Sequence, residues 1–376
     1  MTTDRYAFDL IDTTWTVPAS AAGTFFNWEY DDGRERLLNL YEKGKNSQWN
    51  TNERIDWSLE VDPSDTEAMP DELVSIYGSP TWERLTRAEK NEVRHHLASW
   101  LNSQFLHGEQ GALICSAKIV ETVPDVDSKF YAATQVMDEA RHVETYARFL
   151  NEKLELMYPI SPNLKILLEQ TLTDARWDFI YLGMQVMIEG VALAAFSMVR
   201  DFTGDRLGKS INAYVMQDEA RHVAFGRLAL KDAYKQLTEA EKLEREEFVI
   251  EAAYLLRDRF RAEEVWDNLG LPKDECIAFM NNSESMALFR KALFTRVVPC
   301  VKDIGLWGPR VRKAFADMGV IELADVDLDQ LIEQDENIAD EMDRRFAQAK
   351  EQARARIGGP TTRGAQIADT VLAGAE

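Results

Sequence analysis

Cysteine is scarce in this chain. The 376 residues include three cysteines, Cys115, Cys276 and Cys300, and no two of them form a Cys-x-x-Cys pair. Such wide spacing excludes a disulfide framework, a zinc ribbon and a rubredoxin-type module, and it is typical of reduced thiols packed in a protein core. We therefore expect a cytoplasmic protein whose cysteines have no chemical role.

Long apolar runs and excess positive charge are also missing. No stretch of about 18 apolar residues predicts a membrane-spanning helix, and residues 1–15 lack the basic start and apolar run of a signal peptide. The chain carries 43 basic and 65 acidic residues, for a net charge of −22. This charge argues against nucleic acid and against an acidic membrane surface as partners, and it suits docking to a basic protein.

Strand-like alternation is scarce too, and Gly and Pro residues separate long helical patterns instead of hairpins. The sequence therefore predicts an all-α protein. Capping-box patterns at Thr86 and Thr238 each begin a long helix. The predicted helical regions cover residues 34–49, 86–123, 125–158, 163–202 with a break near Thr173, 206–237 and 238–269, followed by several shorter helices divided at Gly270, Gly305, Gly308 and Gly319.

The order of these elements indicates three parts. We predict an N-terminal extension over residues 1–85 that packs on a helical bundle, and the bundle itself over residues 86–269. A C-terminal helical extension is expected over residues 270–376. Its glycine-rich tail after Arg356 is expected to be loose.

An internal repeat carries the chemistry. The hexapeptide Asp-Glu-Ala-Arg-His-Val begins at Asp138 and again at Asp218, an offset of 80 residues. The same offset pairs Glu109 with Glu189. Each half therefore contains a Glu and, thirty residues later, Glu-x-x-His. The predicted metal ligands are Glu109, Glu139, His142, Glu189, Glu219 and His222.

The spacing of thirty residues has a structural meaning. Its midpoint is Pro124 in the first half and Gly204 in the second, and both residue types end helices. A helix that runs about 14 residues beyond Glu109 rises about 21 Å, and after the turn the next helix descends by the same length. The two carboxylates of each half therefore return to one level of a bundle.

The candidate ligands also share one direction. Glu139 and His142 are three residues apart, so both reach one point beside their helix. Glu109 and Glu189 lie in apolar stripes that face a core, Leu101, Phe105, Ala112 and Ile119 for the first and Leu182, Val186, Ala192 and Phe196 for the second. Four buried carboxylates are very unfavourable without a counter-charge, and two divalent cations supply it. The remaining histidines, His95, His96 and His107, have no such pattern and are not assigned to the site.

One Glu from each of two helices, with Glu-x-x-His from each of two others, is the ligand pattern of the ferritin-like diiron carboxylate proteins. The chain resembles them over about residues 86–237, and its Asp-Glu-x-Arg-His motif is similar to those of multicomponent monooxygenase large subunits and acyl-carrier-protein desaturases. The resemblance implies a ferritin-like four-helix bundle with extra terminal helices. It also implies two iron ions, with manganese or a mixed Mn/Fe pair as alternatives, and O2 as co-substrate.

The same resemblance implies how the imidazoles are held. In those families the Asp before each motif's Glu accepts a hydrogen bond from the His of the other motif. Carried over, Asp218 holds His142 and Asp138 holds His222. Arg141 and Arg221, three residues after each Asp, are expected to keep these acids ionised; the alternative is that both Asp–Arg pairs are ordinary surface ion pairs.

The two halves differ one turn after the ligand histidines. The first half has Tyr146, which matches the radical tyrosine of ribonucleotide reductase small subunits, or is a buried tyrosine beside the site. The second half has Gly226. We expect a substrate pocket with Tyr146 as its opposite wall, in the room left by Gly190, Ala192, Ala195 and Gly226. Leu193 replaces a threonine that monooxygenase large subunits often carry, so their proton-transfer details are not transferred.

The favoured interpretation is an O2-activating non-haem diiron oxidase or oxygenase that acts on a small or carrier-bound organic substrate. Its electrons are expected from a separate reductase or ferredoxin, because the chain has no flavin fingerprint and no four-cysteine cluster, and we expect a homodimer. The first alternative is a radical-generating subunit that works through Tyr146. The second is an iron-storage or peroxide-scavenging protein, for which the chain is about twice as long as a bundle needs.

Overall fold

The computed structural model describes residues 14–19, 22–30, 33–66 and 69–356. The predictions of no signal peptide at the N-terminus and of a loose tail after Arg356 fall almost entirely outside these residues. Within the described residues there are helices and no β-strand, as the sequence predicts.

The core of the fold is a four-helix bundle. Its helices are α4 (Arg87–Thr122), α5 (Val126–Phe149), α8 (Glu189–Phe202) and α9 (Arg206–Ala233). Before them come α1 (Glu35–Asn46), α2 (Thr51–Arg54) and α3 (Pro80–Arg84), and between α5 and α8 lie α6 (Pro162–Thr173) and α7 (Trp177–Tyr181). After the bundle follow α10 (Glu239–Asp258), α11 (Glu263–Asn268), α12 (Lys273–Asn282), α13 (Glu284–Leu293), α14 (Val297–Asp303), α15 (Pro309–Asp317) and α16 (Leu328–Arg356).

Local capping chemistry sets the ends of the bundle helices. The predicted capping box is present at Thr86, whose hydroxyl accepts from the Glu89 N–H while the Glu89 carboxylate returns to the Thr86 N–H. Asp125 caps α5 through the Ser128 N–H at 2.8 Å. Asp205 caps α9 through two backbone N–H groups. These caps place the turns near Pro124 and Gly204 and so bring the repeated Glu residues back to one level of the bundle.

The third bundle helix is not a regular α-helix. The predicted break near Thr173 is present, since α6 ends there and α7 begins at Trp177. Residues Leu182–Ile188 then form a π-helix that runs directly into α8. A π-helical turn accommodates an additional residue and rotates the side chains that precede it. Leu182, Val186, Glu189 and Phe196 of the predicted stripe are all buried. Every residue of the π-helix is buried as well, so this segment is covered on all sides and not along one stripe only.

The C-terminal part differs more from the prediction. The helix expected over 238–269 is divided, because Ala262 adopts φ 49° between a 3₁₀ turn at Arg259–Arg261 and α11. Where only short helices were expected after residue 269, α16 is 29 residues long and packs along α9. A buried ion pair joins Arg296 to Asp335 of α16, with both distances 2.7 Å.

Among the described residues, one helical stretch is long and apolar enough to span a membrane, which corrects the expectation that no such run exists. The helical stretch Trp177–Phe202 qualifies by length and composition, and 94% of its most apolar window is buried inside the protein. Its position in the bundle explains its apolar character, because a helix covered on all sides is apolar all round.

Candidate metal centre

The structure brings the six predicted ligands together in the centre of the bundle. They form two overlapping groups in which one ligand atom from each residue lies within 4.8 Å of the others. The first group is Glu109, Glu139, His142 and Glu219, and the second is Glu139, Glu189, Glu219 and His222. Because Glu139 and Glu219 belong to both groups, the arrangement has the form of two adjacent cation sites that share two carboxylates.

The two imidazoles have the same orientation. His142 directs Nδ1 toward the centre, 3.1 Å from carboxylate oxygens of Glu109 and Glu219, and its Nε2 lies 3.1 Å from Asp218 Oδ2. His222 has Nε2 3.2 Å from Asp138 Oδ2. The crossed pairing of Asp218 with His142 and of Asp138 with His222 is therefore present as predicted. With Nε2 occupied by an aspartate, Nδ1 is left to bind a metal.

The aspartates are embedded in a buried ion network and do not form surface pairs. Arg141 donates to Asp138 at 2.5 Å and to Asp218 at 2.7 Å, and Arg221 donates to Asp218. All four side chains are at most 4% exposed. Although burial opposes its ionisation, the hydrogen bond from His142 and the two guanidinium groups hold the pKa of Asp218 far below its usual range. The surface-pair alternative is therefore wrong.

The donor set fits two cations, because several buried polar atoms that face the centre make no hydrogen bond. Glu139 Oε2, Glu189 Oε2, both oxygens of Glu219 and His222 Nδ1 make no hydrogen bond. Burial and the nearby Glu219 raise the pKa of Glu109 and Glu189 well above the usual carboxyl range. The negative charges of these buried carboxylates are strongly disfavoured without positive charge nearby. Two divalent ions bound to the atoms that make no hydrogen bond would provide that positive charge.

Gln135 completes the centre and was not predicted from the sequence. It is fully buried one turn before Glu139, and its amide Nε2 donates to Glu139 at 3.0 Å and to Glu189 at 2.9 Å. Gln185, within the π-helix, donates in turn to the Gln135 amide oxygen at 3.4 Å. One amide therefore sets the orientation of two carboxylates that belong to different helices.

The loop after α1 also reaches the centre. The Trp49 indole N–H donates to Asp218 Oδ2 at 2.8 Å, and the Gln48 amide donates to Asp138 Oδ1 at 2.7 Å. The Arg141 guanidinium lies over the Trp49 ring at 4.6 Å. No sequence signal indicated these residues, because they lie in a segment outside the repeat. Both halves of the aspartate network are thus anchored by the N-terminal part of the chain.

Tyr146 is buried behind the centre. Its hydroxyl donates to Asn212 Oδ1 at 3.1 Å, and its ring packs with Phe105 and Phe196 at centroid distances of 5.6 and 6.0 Å. Burial and the carboxylates of Glu109 and Glu219 raise the pKa of Tyr146 well above its usual value. The phenol is therefore neutral.

The expected room around the glycines is absent. A Cβ added at Gly226 would lie 2.4 Å from Gln185 Cβ, and one at Gly190 would lie 2.9 Å from Val297 Cγ2. Both glycines are sites of close helix packing, and neither they nor Tyr146 belong to the residues that line the two cavities near the centre. The room predicted beside Gly190 and Gly226 is therefore filled by neighbouring side chains, and a pocket with Tyr146 as its opposite wall stays a prediction.

The two alanines of the same prediction do line a cavity. A small space of about 20 Å³ is bordered by Ala192 and Ala195 and by Glu109, Glu189 and Glu219 of the centre. A larger cavity of about 400 Å³ lies beyond it and is walled mainly by apolar side chains such as Leu101, Met198, Val199, Phe202 and Phe289. Ala195 and Phe260 belong to both walls. The larger cavity therefore adjoins the space beside the metals.

The other histidines lie outside the centre, as predicted. His95 and His107 contact backbone carbonyl oxygens, both at 2.8 Å, and His96 contacts the Tyr158 hydroxyl at 2.7 Å. Burial lowers the pKa of His96 to about 4. Imidazoles with such partners have a structural role.

Two solved structures show what this chain is similar to. Among solved structures, R2-like ligand-binding oxidase with an aerobically reconstituted Mn/Fe cofactor, in a variant form, has a TM-score of 0.46 and 18% identity, and the match covers 75% of this chain and 96% of that one. The same oxidase with its metal cofactor after photoconversion gives the same values. No curated protein matches the chain.

A family model described as P-aminobenzoate N-oxygenase AurF matches residues 31–305, which is well over half of the chain. The matched range contains all six candidate ligands and the loop that carries Trp49. The chain therefore belongs to the P-aminobenzoate N-oxygenase AurF family, and it is an O2-activating oxidoreductase of the non-haem diiron class.

Proposed function

We propose that the chain transfers one oxygen atom from O2 to a small, largely apolar organic molecule, and that an amine nitrogen is the atom oxidised. One observation carries this proposal: the space beside Glu109, Glu189 and Glu219 adjoins an apolar cavity of about 400 Å³. Cavities of about 300–1,000 Å³ are typical of sites for small molecules. The amine follows from the family description, an N-oxygenase.

The overall reaction defines which reactants the enzyme must receive besides the amine. An amine R–NH2 with O2, two electrons and two protons gives the hydroxylamine R–NHOH and one water. The six candidate ligands hold the two metal ions that, when bound, supply the redox chemistry for O2. The chain itself carries no other redox group, so we propose that a separate reductase or ferredoxin delivers the electrons, consistent with a net charge of −22 that attracts a basic partner surface.

The protein's own residues orient the metal ligands and enclose the space in which the reaction takes place. Gln135 fixes Glu139 and Glu189, and Asp138 and Asp218 fix the two imidazoles, so the ligand geometry is set before substrate enters. The apolar wall at Ala195 and the adjoining aromatic rings exclude water from the space beside the metals. A dry site protects a reactive oxidant from side reactions.

Tyr146 has a different place in this proposal from that in a radical-generating subunit. Its hydroxyl donates to Asn212, and Asn212 lines the larger cavity. We propose that Tyr146 orients Asn212 toward that cavity and does not transmit an electron to a partner protein. Tyr146→Phe should then leave O2 consumption by the reduced protein intact, whereas a radical generator would lose its function.

Two further parts of the proposal concern the setting of the enzyme. Phe130 and Met137 are seven residues apart on α5, and both are substantially exposed, at 40% and 60%. These two exposed apolar side chains on one helix face suit the homodimer contact that we propose. The three cysteines are buried and unpaired, which suits the reducing cytoplasm that we propose as the location.

The test begins with anaerobic Fe(II) titration, which should saturate near two ions per chain. The loaded protein is then reduced chemically, supplied with ¹⁸O2 and a panel of aromatic and aliphatic amines, and the products are examined by mass spectrometry. A hydroxylamine or nitro product with ¹⁸O supports the proposal. Incorporation of ¹⁸O at carbon only, or oxidation of no amine in the panel, would contradict N-oxygenation.

A matched variant tests the cavity. Ala195→Leu should reduce amine oxidation by at least about 10-fold, since it narrows the wall shared by the two spaces, while iron loading stays near two. Glu189→Ala, in contrast, should impair iron loading itself. Unchanged amine oxidation in Ala195→Leu would show that substrate reaches the metals by another path.

A further inference from the structure

Three arginines border a pocket that the oxygenase proposal does not use. The pocket has a volume of about 340 Å³, and its charged lining consists of Arg257, Asp258, Arg261, Arg290 and Asp317. Arg257 lies in the last turn of α10 and Arg261 just after it, whereas Arg290 belongs to the last turn of α13. Two separate elements thus direct positive charge into one space, in a chain whose net charge is −22.

The acids of the pocket neutralise only part of this charge. Asp258 pairs with Arg257 at 2.6 Å and with Arg261 at 3.1 Å. Asp317 pairs with Lys313 at 2.6 Å, so its charge is already offset. Three guanidinium groups less the one carboxylate of Asp258 therefore leave a net charge of +2 in the pocket.

Arg290 carries charge that no acid compensates. Among the described residues no carboxylate pairs with it, and it donates to the backbone oxygens of Met280 at 3.1 Å and Asn281 at 3.5 Å. These bonds use only part of the N–H donors of a guanidinium, so others are left for a ligand. Burial and the like charges of Arg257 and Arg261 lower the pKa of Arg290 below its usual value, as expected where positive charge is crowded.

We propose that this pocket binds a phosphate group, either free phosphate or the phosphate of a small organic molecule. A phosphate group carries a charge of about −1.5 to −2 near neutral pH, which matches the net charge of the pocket. Guanidinium groups suit phosphate because they offer paired N–H donors in a fixed geometry. The volume falls in the range of about 300–1,000 Å³ that is typical of sites for small molecules, so an organic group on the phosphate has room as well.

The pocket adjoins the apolar cavity but not the metal centre. Phe260 and Met286 border both the pocket and the cavity of about 400 Å³, and both side chains are buried. No candidate metal ligand lines the pocket. A bound phosphate would therefore contact the wall of the proposed substrate cavity and no candidate metal ligand. The site goes beyond the oxygenase proposal and does not depend on it.

Calorimetric titration of the iron-loaded protein, under nitrogen and at constant ionic strength, tests the site. The probes are inorganic phosphate and phenyl phosphate, and both should bind. Arg290→Gln should weaken both at least about 10-fold. The matched control Arg310→Gln removes an equal charge from α15, where Arg310 pairs with Glu247 and lies outside the pocket, and should keep the wild-type affinity.

The two probes also distinguish the sources of the phosphate. Phenyl phosphate that binds at least about 10-fold more tightly than inorganic phosphate would assign the site to a phosphorylated small molecule, and equal affinities would assign it to free phosphate. Binding of neither probe, unchanged binding in Arg290→Gln, or an equal loss in Arg310→Gln would overturn the proposal. Since no step involves O2, these results are independent of the oxygenase proposal.

Asp258 gives a test of opposite sign. Asp258→Asn removes the carboxylate that pairs with Arg257 and Arg261, so the pocket gains positive charge and phosphate should bind at least about 3-fold more tightly. Arginines with a purely structural role predict no such gain. Phosphate should also raise the melting midpoint of the wild type and not that of Arg290→Gln, which needs no Asp258 variant. Weaker or unchanged phosphate binding in folded Asp258→Asn, or an equal rise of the midpoint in Arg290→Gln, would overturn the proposal.

Discussion

Gly226 and Tyr146 occupy equivalent positions in the two halves of the repeat, yet the structure gives each a packing role. The space beside Gly226 is taken by Gln185, whose Cβ would meet an added Cβ at 2.4 Å. The asymmetry of the repeat therefore reflects helix packing around the π-helical segment. A glycine in a sequence motif indicates close approach as readily as it indicates open room.

This reading makes a prediction about stability. Gly226→Ala should lower the free energy of unfolding of the metal-free protein by about 1–3 kcal/mol, because the methyl group overpacks the contact with Gln185. Gly108→Ala is the control, since nothing lies within 4 Å of its added Cβ on α4. It should gain about 0.5–1 kcal/mol from helix propensity. Chemical denaturation measures both, and a Gly226→Ala protein as stable as wild type would contradict the close packing.

A second prediction concerns Gln135, whose one side-chain amide donates hydrogen bonds to two candidate ligands. Gln135→Leu keeps the volume of the side chain but removes the amide that orients Glu139 and Glu189. Iron binding should weaken by about 10- to 100-fold. Gln170→Leu, at a half-buried glutamine of α6 whose amide donates to Glu251 and to no candidate ligand, should leave iron binding unchanged. Equal affinities of the two variants in anaerobic Fe(II) titration would show that Gln135 does not orient the ligands.

The sequence could predict the six candidate ligands because each half of the repeat repeats the other. Gln135 was not predicted, because the residue 80 positions later is Val215 and the glutamine is therefore not part of the repeat.

At the scale of elements, capping chemistry could be predicted and helix irregularity could not. Thr86, Thr238 and Asp125 cap their helices as expected, because a capping box is local in sequence. The π-helix over Leu182–Ile188 and the break at Ala262 have no comparable local signal. Both depend on packing against neighbouring helices, which the periodicity of one segment does not report.

The loop after α1 gives an element-scale prediction. Trp49→Phe removes the indole N–H that donates to Asp218 but keeps an aromatic ring beside Arg141. The imidazole of His142 then loses part of its anchoring, so Fe(II) affinity should fall by about 3- to 10-fold. Trp57→Phe is the matched control, since Trp57 donates to the Thr51 carbonyl and stacks with Arg148. If both variants bind iron as the wild type does, the loop has no influence on the centre.

At the scale of the whole molecule, the terminal parts enclose the bundle. α1 packs on α5 and α9, and α16 packs along α9. The Tyr214 hydroxyl of α9 donates to Asp343 of α16 at 2.7 Å. The division into an N-terminal extension, a bundle and a C-terminal extension remains a prediction. The length of α16 was missed, although no Gly or Pro interrupts residues 328–356.

The stability of the metal-free protein and that of the iron-loaded protein should change in opposite directions as pH rises. The pKa values of Glu109, Glu189, His142 and His222 are all raised in the folded, metal-free chain. Groups with a raised folded pKa stabilise below their unfolded pKa and lose that contribution as pH rises. The metal-free protein should therefore become less stable from about pH 7 to about pH 9. His96 does not interfere, since its lowered pKa leaves it neutral in both states over that range.

The loaded protein should gain stability over the same range, because metal binding requires these ligands deprotonated and becomes tighter as protons leave. Melting midpoints with and without Fe(II), measured anaerobically at several pH values, check both trends. A metal-free protein that grows more stable as pH rises above 7 would contradict the crowding of charge at the centre.

The central claim is a dimetal centre held by six residues, and anomalous diffraction at the iron absorption edge tests it most directly. Crystals of the full chain loaded anaerobically with Fe(II) should show two separate peaks in the bundle. One peak should be bordered by Glu109, Glu139, His142 and Glu219, and the other by Glu139, Glu189, Glu219 and His222. A single peak, or peaks away from these side chains, would contradict the account.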